Sequence, residues 1–263
     1  VRLRGRMVDE AQGQSKMVSV AATEEQVVSF LKNFPGVELA CVNATERIVV
    51  AGPAGAVEKF VAASPTEWQS KVVPTALAFH TAAVEPMLPR LQEVLAHANM
   101  RKPTVPIISS STGKVVGPHD MCVEYWLRQT RGAVRYADAV RCAVEQFPEG
   151  AVFVEVGPQQ VLTSLTRGVL SPKSTCVPLL PKRQSPVSEE YHLLAAVGRM
   201  WAEGAAVDLV SGLQHKVEGT LVRLPRYPWD RKRCWPEPRA AVTRQAEAAR
   251  PERGPVPWCS RLG

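Results

Sequence analysis

Between Met17 and Val73 the apolar residues switch repeatedly between strand-like and helix-like spacing, and few folds accept that order of elements. Met17-Val18-Ser19-Val20-Ala21 reads as a short strand. Thr23-Glu24-Glu25-Gln26 supplies an N-cap and an acidic first turn, which leads a helix through Val27, Val28, Phe30 and Leu31. Pro35-Gly36 ends it. Residues 37–43 and 48–52 read as two strands joined by a polar turn. Pro53 opens a second helix carrying Val57, Phe60 and Val61, and residues 68–73 form a fourth strand.

The resulting order, β-α-β-β-α-β, is the ferredoxin-like arrangement. It is a common superfold and by itself carries no function. After Pro74 the pattern changes. Residues 84–100 predict a helix with Leu88, Leu91, Val94 and Leu95 on one face, and residues 105–109 a short strand. Helices follow over 121–129 and 133–147, separated by Gly132, and 152–156 reads as a buried strand stopped by Gly157-Pro158. Further helices are predicted over 161–169 and 191–201, before the turn-rich stretch Leu224 to Trp235. Strands alternating with helices imply a parallel α/β layer.

The charge distribution separates a body from a tail. Residues 1–221 carry 22 Lys plus Arg against 21 Asp plus Glu, a net of +1. Residues 222–263 carry 10 against 4, a net of +6, so most of the chain's +7 belongs to its end. Residues 239–253, rich in Ala, Arg, Glu and Pro, hold too little apolar surface to fold alone and read as a disordered linker. No apolar stretch reaches the ~18 residues that a membrane span needs. The six cysteines, at 41, 122, 142, 176, 234 and 259, show neither a CxxC pair nor a histidine at ligand spacing. Neither a metal site nor a disulfide framework is indicated, and reduced thiols in a cytoplasmic protein are the better reading. The chain opens on Val1 inside a helical-looking run, as a segment of something longer would.

Few residues are candidates for chemistry. His80 follows Leu77-Ala78-Phe79 and sits just before a helix, a junction suited to acid/base work. The alternative for a lone histidine is a satisfied core or capping role. Arg4, in Leu3-Arg4-Gly5-Arg6, has the fork geometry that binds a carboxylate, and its alternative is a solvated helix face. Glu155-Val156-Gly157-Pro158 lies at a strand end, where parallel sheets place ligands. No Gly-x-Ser-x-Gly elbow, P-loop or dinucleotide fingerprint occurs anywhere in the chain. Nucleic-acid binding through the βαββαβ unit is a poor fit, since Trp68 is the one aromatic candidate on its strands.

Taken in order, several fragments resemble one family. They are Leu3-Arg4-Gly5-Arg6-Met7, Ala78-Phe79-His80, Pro86-Met87, Tyr125-Trp126-Leu127-Arg128-Gln129, Val134-Arg135-Tyr136, Phe153-Val154-Glu155-Val156-Gly157-Pro158 and Val161-Leu162-Thr163. Together they resemble the acyltransferase domain of polyketide synthases, with malonyl-CoA:acyl-carrier-protein transacylases as more distant kin. Leu224-Pro225-Arg226-Tyr227-Pro228-Trp229-Asp230-Arg231 with Trp235 resembles the post-acyltransferase linker that returns to a ketosynthase.

The resemblance implies an α/β fold: an α/β-hydrolase-like acyltransferase subdomain, here partial, with an inserted ferredoxin-like small subdomain. On this reading residues 1–14 and 75–180 belong to the large subdomain and 15–74 to the small one. Residues 181–238 hold the C-terminal helix and linker, and 239–263 a disordered basic connector. The implied reaction is ping-pong transfer of an extender unit from CoA to the phosphopantetheine thiol of an acyl carrier protein, with no bound cofactor, metal, nucleic acid or membrane. His80 matches the family's general base, Gln129 the residue whose backbone carbonyl orients the histidine ring, and Arg4 the arginine that pairs with the extender's free carboxylate. Phe79 follows the malonyl-using pattern, where a ring fills the space of an α-methyl, while Leu77 departs from both family patterns. The nucleophilic serine is expected upstream of Val1, which leaves the isolated chain inactive. The alternative is a non-catalytic remnant serving as a structural or docking module.

Overall fold

The computed structural model describes residues 15–75, 77–117, 120–170, 172–209, 222–232 and 234 of the 263. The chain divides into two compact units, Val1–Leu213 and Gln214–Gly263. Among the described residues no helix is long and apolar enough to cross a membrane.

The first unit opens with the element order the sequence predicts: β1 (Ser15–Val20), α1 (Glu24–Leu31), β2 (Glu38–Ala44), β3 (Arg47–Pro53), α2 (Ala54–Ala63) and β4 (Ser70–Val73). The four strands form one antiparallel sheet in the order β2-β3-β1-β4. Helix α1 starts where its cap dictates. The Thr23 hydroxyl accepts from the Gln26 N–H while the Gln26 side chain accepts from the Thr23 N–H, a reciprocal capping box.

The two-residue period of the strands sorts their side chains onto two faces. Val18 and Val20 of β1 join Ile48 and Val50 of β3 under the helices, against Val27, Val57 and Phe60. Met17, Val49 and Ala51 point to the opposite face, where Ala78 packs on them. Strand β3 is thus buried on both sides, which explains its unbroken run Ile48-Val49-Val50-Ala51. Phe30, Phe34, Phe60 and Trp68 lock the helical side with ring centroids 5.0–6.5 Å apart, mostly edge to face.

Beyond β4 the predictions hold in outline and fail in detail. The helix expected over 84–100 is a 3₁₀ turn, Ala82–Met87, followed by a shorter helix α3, Leu88–Ala96. Pro86 lacks the N–H that an α-helix would need there, and the α-helix restarts with Pro89 in its first turn. The apolar face read for this helix is not buried: α3 holds no buried residue and Val94 is half exposed. The strand expected over 105–109 reduces to a single bridge, Ile108 to Val115, because Pro106 cannot donate to a ladder.

Helices α4 (Val123–Arg131) and α5 (Tyr136–Gln146) form as expected, and β5 (Val152–Glu155) precedes α6 (Val161–Arg167). A short strand that the sequence does not announce, β6 (Thr175–Pro178), pairs in parallel with β5, and α7 spans Glu189–Ala202. Strand β5, read as buried, is open on one side, with Val154 exposed. The described part of the second unit, residues 222–232 and 234, has no helix or strand, and Leu224, Tyr227 and Trp229 there are exposed.

Glu155 ends β5 and caps α6. Its carboxylate oxygens accept from the backbone N–H of Leu162 (2.9 Å) and Thr163 (2.7 Å), two donors that a helix start leaves orphaned. Burial pushes this carboxyl up, yet the hydrogen bonds from Thr163 and Leu162 outweigh it and hold the group below its ordinary value. A folded-state value below the unfolded one stabilises fully above the unfolded pKa of about 4.3, and that contribution is lost as pH falls through the folded value. Glu155→Gln should therefore destabilise the chain by about 1–2 kcal/mol at pH 7. Denaturant unfolding at pH 7 and pH 3 checks this: the difference from the parent should shrink at the lower pH.

Candidate active site

His80 stands at the tip of a tight turn with φ of +63°, in the left-handed region that side chains rarely occupy. Such strain persists where the surroundings over-determine it, and these surroundings do. Leu77 and Ala78 are buried, and the Ala78 N–H donates to the Ser15 hydroxyl on β1 at 2.8 Å. The buried Thr81 hydroxyl donates to the Ala78 carbonyl at 2.7 Å and accepts from the Ala83 N–H, closing the turn and capping the 3₁₀ segment. The Phe79 ring is half-buried and packs toward both Ala78 on the sheet and the Leu77–Val84–Met87 cluster.

The His80 Nδ1 lies 3.0 Å from the Gly132 carbonyl oxygen. A carbonyl cannot donate, so Nδ1 is the donor, and in the neutral ring the lone pair then belongs to Nε2. That is the tautomer a general base requires. Gly132 sits where α4 ends, with extended torsions (φ −78°, ψ 157°) that turn its carbonyl out of the helix. The chain then runs onto the sheet. The Val42 N–H donates to the Val134 carbonyl at 2.7 Å, and the Val134 N–H donates to the Ala40 carbonyl at 2.8 Å. The βαββαβ unit therefore holds both partners: its face carries the turn before His80, and its β2 edge carries the segment after Gly132.

The sequence reading gives this carbonyl to Gln129, whereas in the structure it is the Gly132 carbonyl that stands 3.0 Å from His80 Nδ1. Gln129 lies inside α4, where a carbonyl points along the axis toward the next turn, whereas Gly132 is the cap whose carbonyl is released. Gly132 was legible as the break between two helices, but which carbonyl faces the ring depends on the three-dimensional crossing. Arg4 lies outside the described residues. Leu77, which breaks the family pattern at the first of four positions, is a buried packing residue beside Val84 and Met87. Thr81, Glu38, Arg131 and Ser15 had no assigned role in the sequence, and all four hold the turn or its partner segment.

A cavity of about 500 Å³ opens beside Gly132, with Leu88, Ser111, Tyr125, Arg128 and Arg131 in its lining. Among the described residues no group of His, Cys, Asp and Glu is placed to hold a metal ion. Cys41, on β2 beside Val134, is no candidate nucleophile, because burial pushes its thiol up to about 11.

Known proteins resemble this chain along most of its length. Residues 1–202 match the family model described as "Acyl transferase domain". The chain is 34% identical over 251 residues to polyketide synthase GfsA of Streptomyces halstedii, covering 92% of this chain and 3% of that protein. It is 31% identical over 258 residues to the spectinabilin polyketide synthase system protein NorB of Streptomyces orinoci, covering 95% of this chain and 12% of that one. Among solved structures, the acyltransferase domain from the second module of the salinomycin polyketide synthase superposes with a TM-score of 0.72 at 30% identity, covering 84% of this chain and 52% of the other. The chain thus spans a small part of these large relatives, and about half of that solved domain.

Proposed function

Because this chain belongs to the acyl transferase domain family, of the kind found in polyketide synthases, we propose that His80 is the general base in transfer of a malonyl group from CoA to the phosphopantetheine thiol of an acyl carrier protein. The observation that carries this reading is the 3.0 Å contact between His80 Nδ1 and the Gly132 carbonyl on a strained, fully braced turn.

The chemistry proceeds in two matched halves. A serine hydroxyl attacks the thioester carbonyl of malonyl-CoA, and its proton passes to His80 Nε2. The tetrahedral intermediate collapses, the CoA sulfur leaves with that proton, and a malonyl ester remains on the serine. The carrier thiol then attacks the ester, His80 takes its proton, and the proton returns to the departing serine oxygen. The Gly132 carbonyl steadies the charged imidazolium, the part a carboxylate plays in other triads.

Since no Gly-x-Ser-x-Gly occurs in these 263 residues, the serine is supplied from outside this sequence. Arg4 pairs with the free carboxylate of the extender. The half-buried Phe79 fills the space of an α-methyl and favours malonyl over methylmalonyl by about 1–3 kcal/mol. The architecture we assign is an α/β-hydrolase-like large subdomain (1–14 and 75–180) carrying a ferredoxin-like insertion (15–74). Residues 181–238 hold the C-terminal helix and the linker that meets a ketosynthase, a reading supported by the exposed Leu224, Tyr227 and Trp229, and 239–263 form a basic connector. The missing elbow also favours a second reading, in which the chain is a non-catalytic docking module.

Loading by radiolabelled malonyl-CoA separates the two. Residues 1–263 alone should take up no covalent label. Supplied with an upstream segment bearing the elbow serine, they should load and pass the label to a carrier protein. Label on the chain alone would overturn the assignment of the nucleophile, and failure to load with the serine present would leave the docking role.

A further inference from the structure

His80 and Gly132 come from segments 52 residues apart, and one carboxylate on β2 ties both. Glu38 Oε1 accepts from the Ala82 N–H at 2.8 Å, two residues beyond His80. Its other oxygen, Oε2, pairs with Arg131 Nη1 at 2.9 Å, one residue before Gly132. Arg131 reaches back as well, its Nε donating to Glu85 Oε1 at 2.6 Å in the 3₁₀ segment that follows the histidine. We infer that Glu38 and Arg131 form a clasp that sets the distance between the His80 ring and the Gly132 carbonyl, and so fix the imidazole tautomer for proton transfer. The inference rests on the reading of His80 as the base.

The physical case is one of redundancy and position. An ordinary half-exposed ion pair contributes little to stability, and these side chains are each about one-third exposed. Their arrangement is nonetheless specific. The arginine fork engages two carboxylates on two elements, Glu38 on β2 and Glu85 in the 3₁₀ segment. Backbone bonds already hold Val134 to β2, and the Thr81 hydroxyl donates to the Ala78 carbonyl, so each half is anchored separately. The Glu38–Arg131–Glu85 chain adds side-chain ties directly between the His80 turn and the end of α4. Both are positioning residues; neither touches the reacting atoms.

The test reads the tautomer directly, through long-range ¹⁵N–¹H correlations of the His80 ring in histidine-labelled full chain, with His80→Asn to assign the signals. The parent should show predominantly the Nδ1–H form. Glu38→Gln and Arg131→Gln should each lower the Nδ1–H to Nε2–H ratio about fivefold, the change a weakened hydrogen bond produces. Arg131→Lys, which keeps the charge and loses the fork, should fall between. Glu58→Gln, which removes the surface pair of Glu58 with Lys16, should leave the ratio unchanged. A ratio within about twofold of the parent in Glu38→Gln, or one in Arg131→Lys indistinguishable from the parent, would overturn the clasp, whether or not Arg131→Gln folds. A loading assay indifferent to His80 would instead defeat its role as base, while leaving the tautomer result intact.

Discussion

His80→Asn should lower malonyl transfer about 10³-fold when the chain is assayed together with the segment that supplies the elbow serine. Asparagine is the informative replacement. It tolerates left-handed torsions better than most residues, so the strained turn at φ +63° survives the change. Its amide can still face the Gly132 carbonyl, but it has no basic nitrogen to take a proton from serine or thiol. Fold and base are thereby separated: the thermal midpoint should stay near that of the parent while the rate collapses. A loss of less than about tenfold with an unchanged midpoint would mean that the turn is a structural feature and the base lies elsewhere.

The largest effect on stability is expected at Phe60. Its side chain is fully buried, in ring contact with Phe30 and Phe34 and 6.5 Å from Trp68. Phe60→Ala should cost about 3–5 kcal/mol, the lost transfer energy plus the cavity that a rigid β-sheet cannot collapse to fill. Denaturant unfolding measures it, and a cost below about 1 kcal/mol would mean that the aromatic cluster rearranges. A secondary consequence reaches the site. The sheet that Phe60 supports holds Ala78 on one face and Val134 on its β2 edge, so loosening it should also shift the His80 tautomer.

Legibility from sequence tracked how local each signal was. The βαββαβ unit could be read almost to the residue, because each element carried its own period and punctuation: Thr23 and Gln26 for the cap, Pro35-Gly36 for the stop, Pro53 for the second helix. The region after Pro74 was read less well. Its prolines at 86, 89 and 106 cut predicted elements short, and β6 is too brief to declare itself beside Pro178. His80 was found because it ends a motif. Its torsion, its tautomer and its carbonyl partner were not, since all three depend on residues distant in the chain.

Glu155 shows the same division from the other side. The motif around it looked like the rim of a binding site at a strand end, and the structure gives its carboxylate to the first turn of α6. A strand-end glutamate followed by a helix can serve either purpose, and only the direction of the N–H groups decides.

The sequence by itself determined the family and the elements of the small sheet, because periodicity, caps and ordered motifs are properties of neighbouring residues. The tertiary structure alone decided that the Gly132 carbonyl, and not that of Gln129, meets the His80 ring. The physical reason is that a carbonyl inside a helix is directed along it, while one at its end is free to turn toward whatever the sheet brings near. In this chain the sheet brings His80 on one face and Gly132 along one edge.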